Sequence, residues 1–293
     1  MSSRKKYMAG ISIALAVTAL GTAALTGGCG SSQPVVKDVD HIATSTSQPE
    51  QLFTFFTGTL GLPAAWPFVQ YPGFATGGVY LGNVNMETLL LEGVSAPGSP
   101  AFFFGIVFEP YPLTKSIPLF KANGADPQKP TVQTREENGK QVPVWTNVTL
   151  KALCTKDYIV YLCAYTPAAK AHLVSVTSAS KPPLGPLGVT SVKEAVITST
   201  DPEATISTWK KAMVPVSTSS DGTMTFQSGP AIRIIKGSTD MIATLIIKVA
   251  SLDTAKTFLQ KNGLLGKSTG SELTIEPSKV QGLDIQLVQQ AGK

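Results

Sequence analysis

An internal repeat constrains the fold of this 293-residue chain more than any other feature of its sequence. Residues 39–50 align without gaps on residues 192–203, and in both copies a β-prone run leads into a helix start. Asp201 suits an N-cap, and a proline stands at the first helical position of each copy. Apolar residues at helical spacing follow. One strand–helix unit is therefore predicted in each half of the chain.

A second, weaker internal repeat raises the number of predicted strand–helix units from two to four. Residues 116–124 match residues 255–263, and each segment follows an apolar strand and ends in Asn-Gly, which suits the left-handed turn that closes a helix. Strand-rich stretches follow the four predicted helices, at residues 77–91, 142–165, 223–235 and 272–288. The sequence therefore predicts four β-α-β-β-β units, two in each half.

Paired units of this kind resemble the vicinal oxygen chelate superfamily, which includes glyoxalase I, bleomycin-resistance proteins and extradiol dioxygenases. The resemblance is nearest to glyoxalase-like domain proteins, and the residues that carry it lie at 39–42, 83–87, 201–203 and 282–285. It implies an α+β fold of two domains, each made of paired βαβββ units whose mixed sheets curl into a cup.

A segment rich in proline and glycine, residues 178–188, predicts the linker between the two domains. The first glyoxalase-like domain is then expected at residues 37–177. The second is expected at residues 189–293 and departs further from the family pattern.

The resemblance also implies a divalent metal ion in each cup, held by His and Glu residues of the first and last strands. His41 and Glu87 match these positions in the first unit, and Glu87 or a bound water would act as the base. The second unit offers only Tyr161 near the acidic position, so a Zn, Mn, Fe or Ni ion would have two protein ligands instead of the usual three. The alternative is a hydrogen bond between His41 and Glu87 in a cup that has lost its ion.

The second domain has Glu194 at the place of His41, and either Arg233 or Ile234 near the place of Glu87. The first two of these residues, Glu194 and Arg233, are charged. These two residues form an ion pair or face solvent; the sequence leaves both open. His172, the only other histidine, is expected on a short helix in a solvated or capping role.

Aromatic residues surround the predicted mouth of the first cup, and they either fill the core or line an apolar ligand pocket. The candidate ligand-binding residues are Trp66, Phe68, Tyr80 and Tyr161, with Tyr71 and Phe74 nearby.

The first residues predict export. A basic segment at 4–6 and an apolar segment at 11–25 are typical of a signal peptide, expected at residues 1–28. Residues 25–29 resemble a bacterial lipobox, so Cys29 is the predicted lipidation site and residues 29–36 the lipidated Cys and its tether. Two acyl chains would anchor the protein stably to a membrane. Gly30 favours the periplasmic face of the outer membrane in a Gram-negative cell. An ordinary signal peptide is the alternative, and export by the Sec or twin-arginine route stays open.

Charge and cysteine content bear on two further questions, whether the protein binds nucleic acid and whether it contains a disulfide. The chain has 24 basic and 19 acidic residues, and three of the basic residues lie in the leader, so the mature chain is nearly neutral. Without a cluster of Lys and Arg, the sequence disfavours nucleic acid as a partner. Cys154 and Cys163 are expected to be free thiols, because a turn at 155–157 would place them too far apart to bridge.

Three functions are compatible with these patterns. The first is small-molecule binding, with a weak divalent-metal site in the first domain. The second is a metal-dependent lyase, isomerase or dioxygenase acting on vicinal oxygens. The third is a structural interaction role in the cell envelope.

Overall fold

Four units of one strand, one helix and three further strands make up the described part of the chain. A computed structural model describes residues 34–71 and 73–291. The predicted signal peptide, Cys29 and the first residues of the tether lie outside the described residues.

The first unit contains β1 (Val36–Ser45), α1 (Pro49–Thr54), β2 (Ala64–Tyr71), β3 (Phe74–Tyr80) and β4 (Asn85–Leu91). The second contains β5 (Phe102–Pro110), α2 (Leu113–Ala122), β6 (Thr131–Glu137), β7 (Lys140–Thr149) and β8 (Ile159–Tyr165). A connecting helix, α3 (Pro167–Ala179), follows.

The third unit contains β9 (Val189–Ser199), α4 (Pro202–Ala212), β10 (Ser217–Thr218), β11 (Thr223–Thr225) and β12 (Ala231–Lys236). The fourth contains β13 (Met241–Val249), α5 (Leu252–Lys261), β14 (Leu265–Ser268), β15 (Glu272–Ile275) and β16 (Asp284–Gln289).

Each pair of units forms one eight-stranded mixed sheet. In the N-terminal pair, β1 and β5 are antiparallel at the centre, and each lies parallel to the last strand of its own unit, β4 or β8. The C-terminal pair repeats this arrangement, with β9 and β13 at the centre and β12 and β16 beside them. The predicted α+β fold of paired βαβββ units is confirmed.

The two pairs share one apolar core and one compact unit. A single strand contact, Phe103 with Ile242, joins their sheets. The Asn83 side chain adds a pair of hydrogen bonds, accepting from the Val192 backbone N–H at 2.8 Å and donating to its carbonyl at 3.0 Å. The division into two domains at residues 178–188 stays a prediction, and α3 occupies its first two residues.

Local signals in the sequence place the helix ends correctly. The Asp201 side chain accepts a hydrogen bond from the Ala204 N–H and so caps α4. Helices α2 and α5 have Asn123 and Asn262 as their C-cap residues, and the glycine after each has a positive φ.

Strand β2 is the main element that the sequence pattern does not reveal. Pro67 lies within it, which argues against a central strand because proline has no N–H to donate. The structure resolves this conflict, since β2 is the edge strand of its sheet and pairs only with β3.

Helix α3 covers the N-terminal sheet. It packs against β2, β7 and β8, and these strands lie on opposite sides of the central strand β1. A helix that touches both sides must bridge the cup. Within the described residues, none of the helices combines the length and the apolar character needed to cross a membrane.

Cys154 and Cys163 are free thiols, as predicted. Cys163 lies within β8 and Cys154 precedes the turn that leads into it.

Candidate functional site

His41 lies at the centre of the N-terminal cup. It belongs to the central strand β1 and is 4% exposed. Its partner in β4 is Asn85, and Glu87 lies two residues further along the same strand. Its Nε2 atom lies 3.4 Å from Glu87 Oε2 and 3.3 Å from the Tyr161 hydroxyl. The structure therefore brings together His41, Glu87 and Tyr161, three of the residues that the sequence singles out.

Asp40 is a residue of this site that sequence reasoning missed. Side chains of successive strand residues normally point to opposite faces, so Asp40 would be expected to face away from His41. The register of β1 against β5 shifts between Val39 and His41, which is the signature of a β-bulge. The bulge brings Asp40 Oδ2 within 2.6 Å of His41 Nδ1.

Further charged and polar groups surround Asp40 and its neighbour Glu109 on β5. The Tyr165 hydroxyl donates to Asp40 Oδ2 at 2.7 Å, and Lys170 of α3 lies 3.9 Å from Asp40 Oδ1. Lys170 also forms an ion pair with Glu109, which accepts a second hydrogen bond from Lys37 at 2.9 Å. The Lys170 ammonium thus links helix α3 to the sheet.

The buried ion pairs shift the ionisation of the site. Burial alone would lower the pKa of His41, but hydrogen bonds and charges from Asp40 and Glu87 raise it to about 9. Burial opposes ionisation of Asp40 as well, yet His41, Tyr165 and Lys170 together lower its pKa. Burial raises the pKa of the Tyr161 hydroxyl well above its ordinary value, with the charge of Glu87 adding to the effect. With a pKa of about 9, the His41 imidazole is protonated at neutral pH, and it lies between Asp40 and Glu87.

Trp66 forms one wall of the site. Its indole ring meets the His41 ring edge-on, with centroids 6.0 Å apart, and it lies so close over Gly78 that a Cβ there would come within 2.2 Å of the indole. Its Nε1 donates to Thr76 Oγ1 at 3.2 Å, and Thr76 donates to Glu87 Oε1 at 2.6 Å. Trp66 therefore both encloses His41 and orients Glu87.

Two other predicted aromatic residues lie elsewhere. Phe68 packs on Phe53 of α1, with centroids 6.1 Å apart, because the β2 register shifts between Trp66 and Val69. Tyr80 lies at the edge of a neighbouring cleft. His172 is exposed on α3, which agrees with its predicted solvated position.

The second unit supplies neither of the usual ligands at the equivalent positions. His41 lies eight residues before the first residue of α1, and Gly105 lies eight residues before the first residue of α2. Glu87 and Tyr161 are the third residues of β4 and β8. Gly105 has no side chain, and a Cβ there would lie 3.5 Å from the Tyr161 ring. A metal would thus find two usual ligands, His41 and Glu87, below the three of a catalytic zinc site.

The C-terminal pair has different residues at the four equivalent positions. Glu194 and Thr244 lie eight residues before α4 and α5, and Arg233 and Gln286 are the third residues of β12 and β16. Arg233 donates to Glu194 Oε1 at 3.0 Å, so the ion-pair alternative is confirmed.

A cleft of about 180 Å³ opens beside the His41 site, between the start of β1, the start of β4 and α3. Asp38 and Asn85 line this cleft, and each has one buried side-chain oxygen, Oδ1, without a hydrogen-bond partner among the described residues. Asp38 also belongs to a group of three carboxylates, with Asp40 and Glu109, whose oxygens lie within 4.8 Å of one another. Buried acceptors without donors are rare in native proteins and call for an explanation.

Comparison with known proteins gives matches among solved structures. No family model matches the chain, and no curated protein matches it. A triple mutant of 4-hydroxymandelate synthase from Streptomyces coelicolor aligns with a TM-score of 0.59 and 12% identity, covering 89% of this chain and 94% of that one. A hypothetical protein from Staphylococcus aureus aligns with a TM-score of 0.57 and 14% identity, covering 86% and 99%.

Extradiol dioxygenases align similarly. The substrate complex of homoprotocatechuate 2,3-dioxygenase from Brevibacterium fuscum has a TM-score of 0.56 and 9% identity, with 89% of this chain and 83% of that one covered. Identities this low bear on the fold and leave the chemistry open. The chain therefore shares the fold of these solved structures, in agreement with the paired βαβββ units that its sequence predicts.

Proposed function

We propose that this protein binds a small polar molecule in the cleft beneath α3, next to the His41 site. The observation that carries the proposal is the cleft itself, which opens beside the His41 site and is lined by Asp38, Asn85 and Lys170. These side chains offer charged and hydrogen-bonding groups to a polar ligand.

The size of the cleft limits the ligand. Its volume of about 180 Å³ lies below the roughly 300–1,000 Å³ of pockets for drug-sized molecules. The rings of Trp66 and Tyr161 lie edge-on to His41 with centroids 6.0 Å away, so we place the ligand in the cleft and not against His41. A ligand of a few heavy atoms fits without any movement.

A binding screen tests this proposal. Small cationic, neutral and anionic molecules would be added to the full chain, with backbone amide signals followed by NMR. Saturable shifts are expected at Asn85, Lys170 and Leu173, which line the cleft. Absence of saturable shifts at these residues with every probe would overturn the proposal.

Metal-dependent chemistry at His41 and Glu87 is the second candidate. One observation favours it: Asp40 binds His41 Nδ1 and leaves Nε2 facing Glu87, as carboxylates do behind metal-ligating histidines. Against it, the two remaining positions are Gly105 and Tyr161. The residues present therefore do not fit a catalytic metal site, and we derive no reaction from one.

Metal content distinguishes the two candidates. The full chain, purified without chelator and then soaked with Zn, Mn, Ni or Fe(II), would be compared with His41→Ala and with His172→Ala as the matched control. We expect no stoichiometric ion in any of the three. A stoichiometric ion that only His41→Ala loses would reverse the ranking and justify assays with catechols and α-ketoaldehydes.

We further propose that the protein works at the cell envelope, anchored through Cys29. Support comes from the signal-like leader and the lipobox-like residues before Cys29. Mass spectrometry of the mature N-terminal peptide tests this: a diacylated cysteine is expected, and an unmodified N-terminus would leave an ordinary signal peptide. If both ligand and metal binding fail, a structural interaction role in the envelope becomes the leading function.

A further inference from the structure

A groove beside α1, called the α1 groove below, lies between residues 47–51 and strands β2, β3 and β4. We infer that the α1 groove binds one ring of a neutral sugar. One face of the ring would lie against Phe68, and its hydroxyl groups would meet three glutamine side chains. The inference goes beyond the proposed function, because the α1 groove and the cleft beneath α3 share no lining residue.

The α1 groove is on the face of the sheet that points away from the cup. Gln70 of β2 pairs with Ala75 of β3, and Ala75 pairs with Leu90 of β4, so these side chains form one row across three strands. The next residue, Thr76, binds Glu87 inside the cup. Since successive side chains of a strand point to opposite faces, the row belongs to the face on which α1 packs.

The size of the α1 groove suits a small organic molecule. Its volume is about 390 Å³, which lies within the roughly 300–1,000 Å³ of ligand pockets. The cleft beneath α3, at about 180 Å³, lies below that range. The α1 groove therefore has room for a larger ligand than the cleft.

Phe68 gives the α1 groove an aromatic surface. The register shift in β2 places this half-buried ring on the face of α1, where it packs on Phe53 with centroids 6.1 Å apart. Gly77 leaves space for both rings, since a Cβ there would lie 2.7 Å from Phe53 and 3.1 Å from Phe68. Further apolar surface comes from Pro49, Ala75 and Leu90. Such a surface matches the C–H face of a sugar ring, and contact would remove apolar area from water.

Three glutamines offer hydrogen bonds at the same place. Gln48, Gln51 and Gln70 are exposed and line the α1 groove, and their side-chain amides form no hydrogen bond with other described residues. Each amide both donates and accepts, as a hydroxyl group does. The three side chains can therefore pair with sugar hydroxyls in either direction.

The C-terminal pair of units braces one wall of the α1 groove. The Gln48 N–H donates to Thr46 Oγ1 at 3.0 Å, and the Gln48 carbonyl accepts from Gln281 Nε2 at 3.1 Å. Thr46 Oγ1 also donates to Gln281 Oε1. A wall that is fixed in advance reduces the entropy that binding has to cost.

The charges around the α1 groove argue against other classes of ligand. Among the described residues that line it, Glu50 is the only charged one, so an anion finds no cationic partner. One carboxylate is far from the six to eight oxygen ligands of a calcium ion. A purely apolar ligand would cover the glutamine amides without satisfying them. A neutral ring with several hydroxyl groups meets both the apolar surface and the amides.

The test uses three six-membered rings on the full chain, with backbone amide signals followed by NMR: methyl β-D-glucopyranoside, glucuronate and cyclohexylmethanol. The glucoside should give saturable shifts at Gln51, Gln70 and Ala75. Glucuronate should bind more weakly because of Glu50, and cyclohexylmethanol weakest of all because it has one hydroxyl group.

Variants assign the binding to side chains. Gln51→Ala and Gln70→Ala should each weaken glucoside binding about twofold to tenfold, since a net hydrogen bond contributes that much. Phe68→Leu should also weaken it, because it removes the flat ring and keeps an apolar side chain. The matched control is Gln260→Ala, an exposed glutamine of α5 outside the α1 groove, which should leave binding unchanged. The amide spectrum of each variant reports whether it folds.

The outcomes are distinct from those of the proposed function. The sugar inference is wrong if cyclohexylmethanol or glucuronate binds as tightly as the glucoside, or if neither glutamine variant weakens binding. Glucoside shifts at Asn85 and Lys170 in place of Gln51 and Gln70 would also overturn it, while supporting a ligand in the cleft beneath α3. Cellobiose separates two sources of the ring: binding at least as tight as that of the glucoside indicates a glycan chain, and loss of binding indicates a free sugar.

Discussion

The two pairs of units share one strand order but have different residues at four equivalent positions. These positions lie eight residues before the helix of each unit and third in the last strand of each unit. In the N-terminal pair these positions hold His41, Glu87, Gly105 and Tyr161, while the C-terminal pair holds Glu194, Arg233, Thr244 and Gln286. His41 lies between two carboxylates, Asp40 and Glu87, under a helix that bridges the cup. In the C-terminal pair, the ion pair between Arg233 and Glu194 occupies the equivalent place.

The difference shows how a cup with an incomplete ligand set can be stabilised. An arginine in place of an acidic ligand supplies its own cation, so the C-terminal centre is neutralised internally. The N-terminal centre keeps the acidic residues and gains Lys170 from α3, yet none of the ion pairs among the described residues includes Asp38. The N-terminal pair is therefore the half in which we propose that a ligand binds. Four substitutions or conditions test this contrast.

The largest effect is expected from removing the central cation of each pair. His41→Ala leaves Asp40 and Glu87 buried without their partner and should lower the free energy of unfolding by about 3–5 kcal/mol. Arg233→Ala should cost about 1–2 kcal/mol, because Lys193 remains 3.5 Å from Glu194. Urea denaturation of both variants measures this, and equal losses would contradict the contrast.

A pH dependence should follow from His41. Its pKa rises from 6.5 to about 9 on folding, so its stabilisation is complete below pH 6.5 and is lost as the pH rises through 9. The free energy of unfolding should therefore fall by about 3 kcal/mol between pH 6.5 and 9.5. Urea denaturation of His41→Gln at both pH values is the control, since this variant should lack that fall. A fall of the same size in the variant would assign the effect to other groups.

Packing over the His41 site gives the next effect. Gly78→Ala would place a Cβ 2.2 Å from the Trp66 indole and should cost about 1–3 kcal/mol, while moving the ring away from His41. Gly105→Ala is the matched control, because its Cβ would come no closer than 3.3 Å to a neighbour. Thermal unfolding and tryptophan fluorescence measure both variants. Equal stability of Gly78→Ala and Gly105→Ala would show that Trp66 is not packed tightly against Gly78.

The smallest effect is a gain in stability. The pKa of Asp38 is raised to about 6, so its ionised form is disfavoured by the fold and its cost grows as the pH rises through 6. Asp38→Asn should raise the free energy of unfolding by roughly 1–2 kcal/mol at pH 7.5 and leave it unchanged at pH 4. Asp157→Asn should stay within about 0.5 kcal/mol at pH 7.5. A loss of stability in Asp38→Asn would mean that Asp38 has a partner.

Much of the architecture could be predicted from the sequence because its signals are local. The repeat of residues 39–50 and 192–203, the Asp201 cap and the Asn-Gly helix ends predict the four units. The same patterns identify His41 and Glu87, because the resemblance depends on strand positions that a sequence displays directly.

Three features of the site could be decided only by the tertiary structure. The β-bulge that turns Asp40 toward His41 depends on the register with β5, to which strand periodicity gives no clue. The register shift in β2 separates Phe68 from Trp66 for the same reason. The position of α3 across the cup arises from packing between segments distant in sequence, since its own residues carry only a helix signal.

The sequence by itself thus determined the units, their pairing into a known fold and the central His–Glu pair, all of which depend on neighbours along the chain. The tertiary structure alone decided which charges meet there. Lys170 of α3 pairs with Glu109, while Asp38 Oδ1 has no hydrogen-bond partner among the described residues. Strand register and helix docking decide both, because they fix distances between residues far apart in sequence.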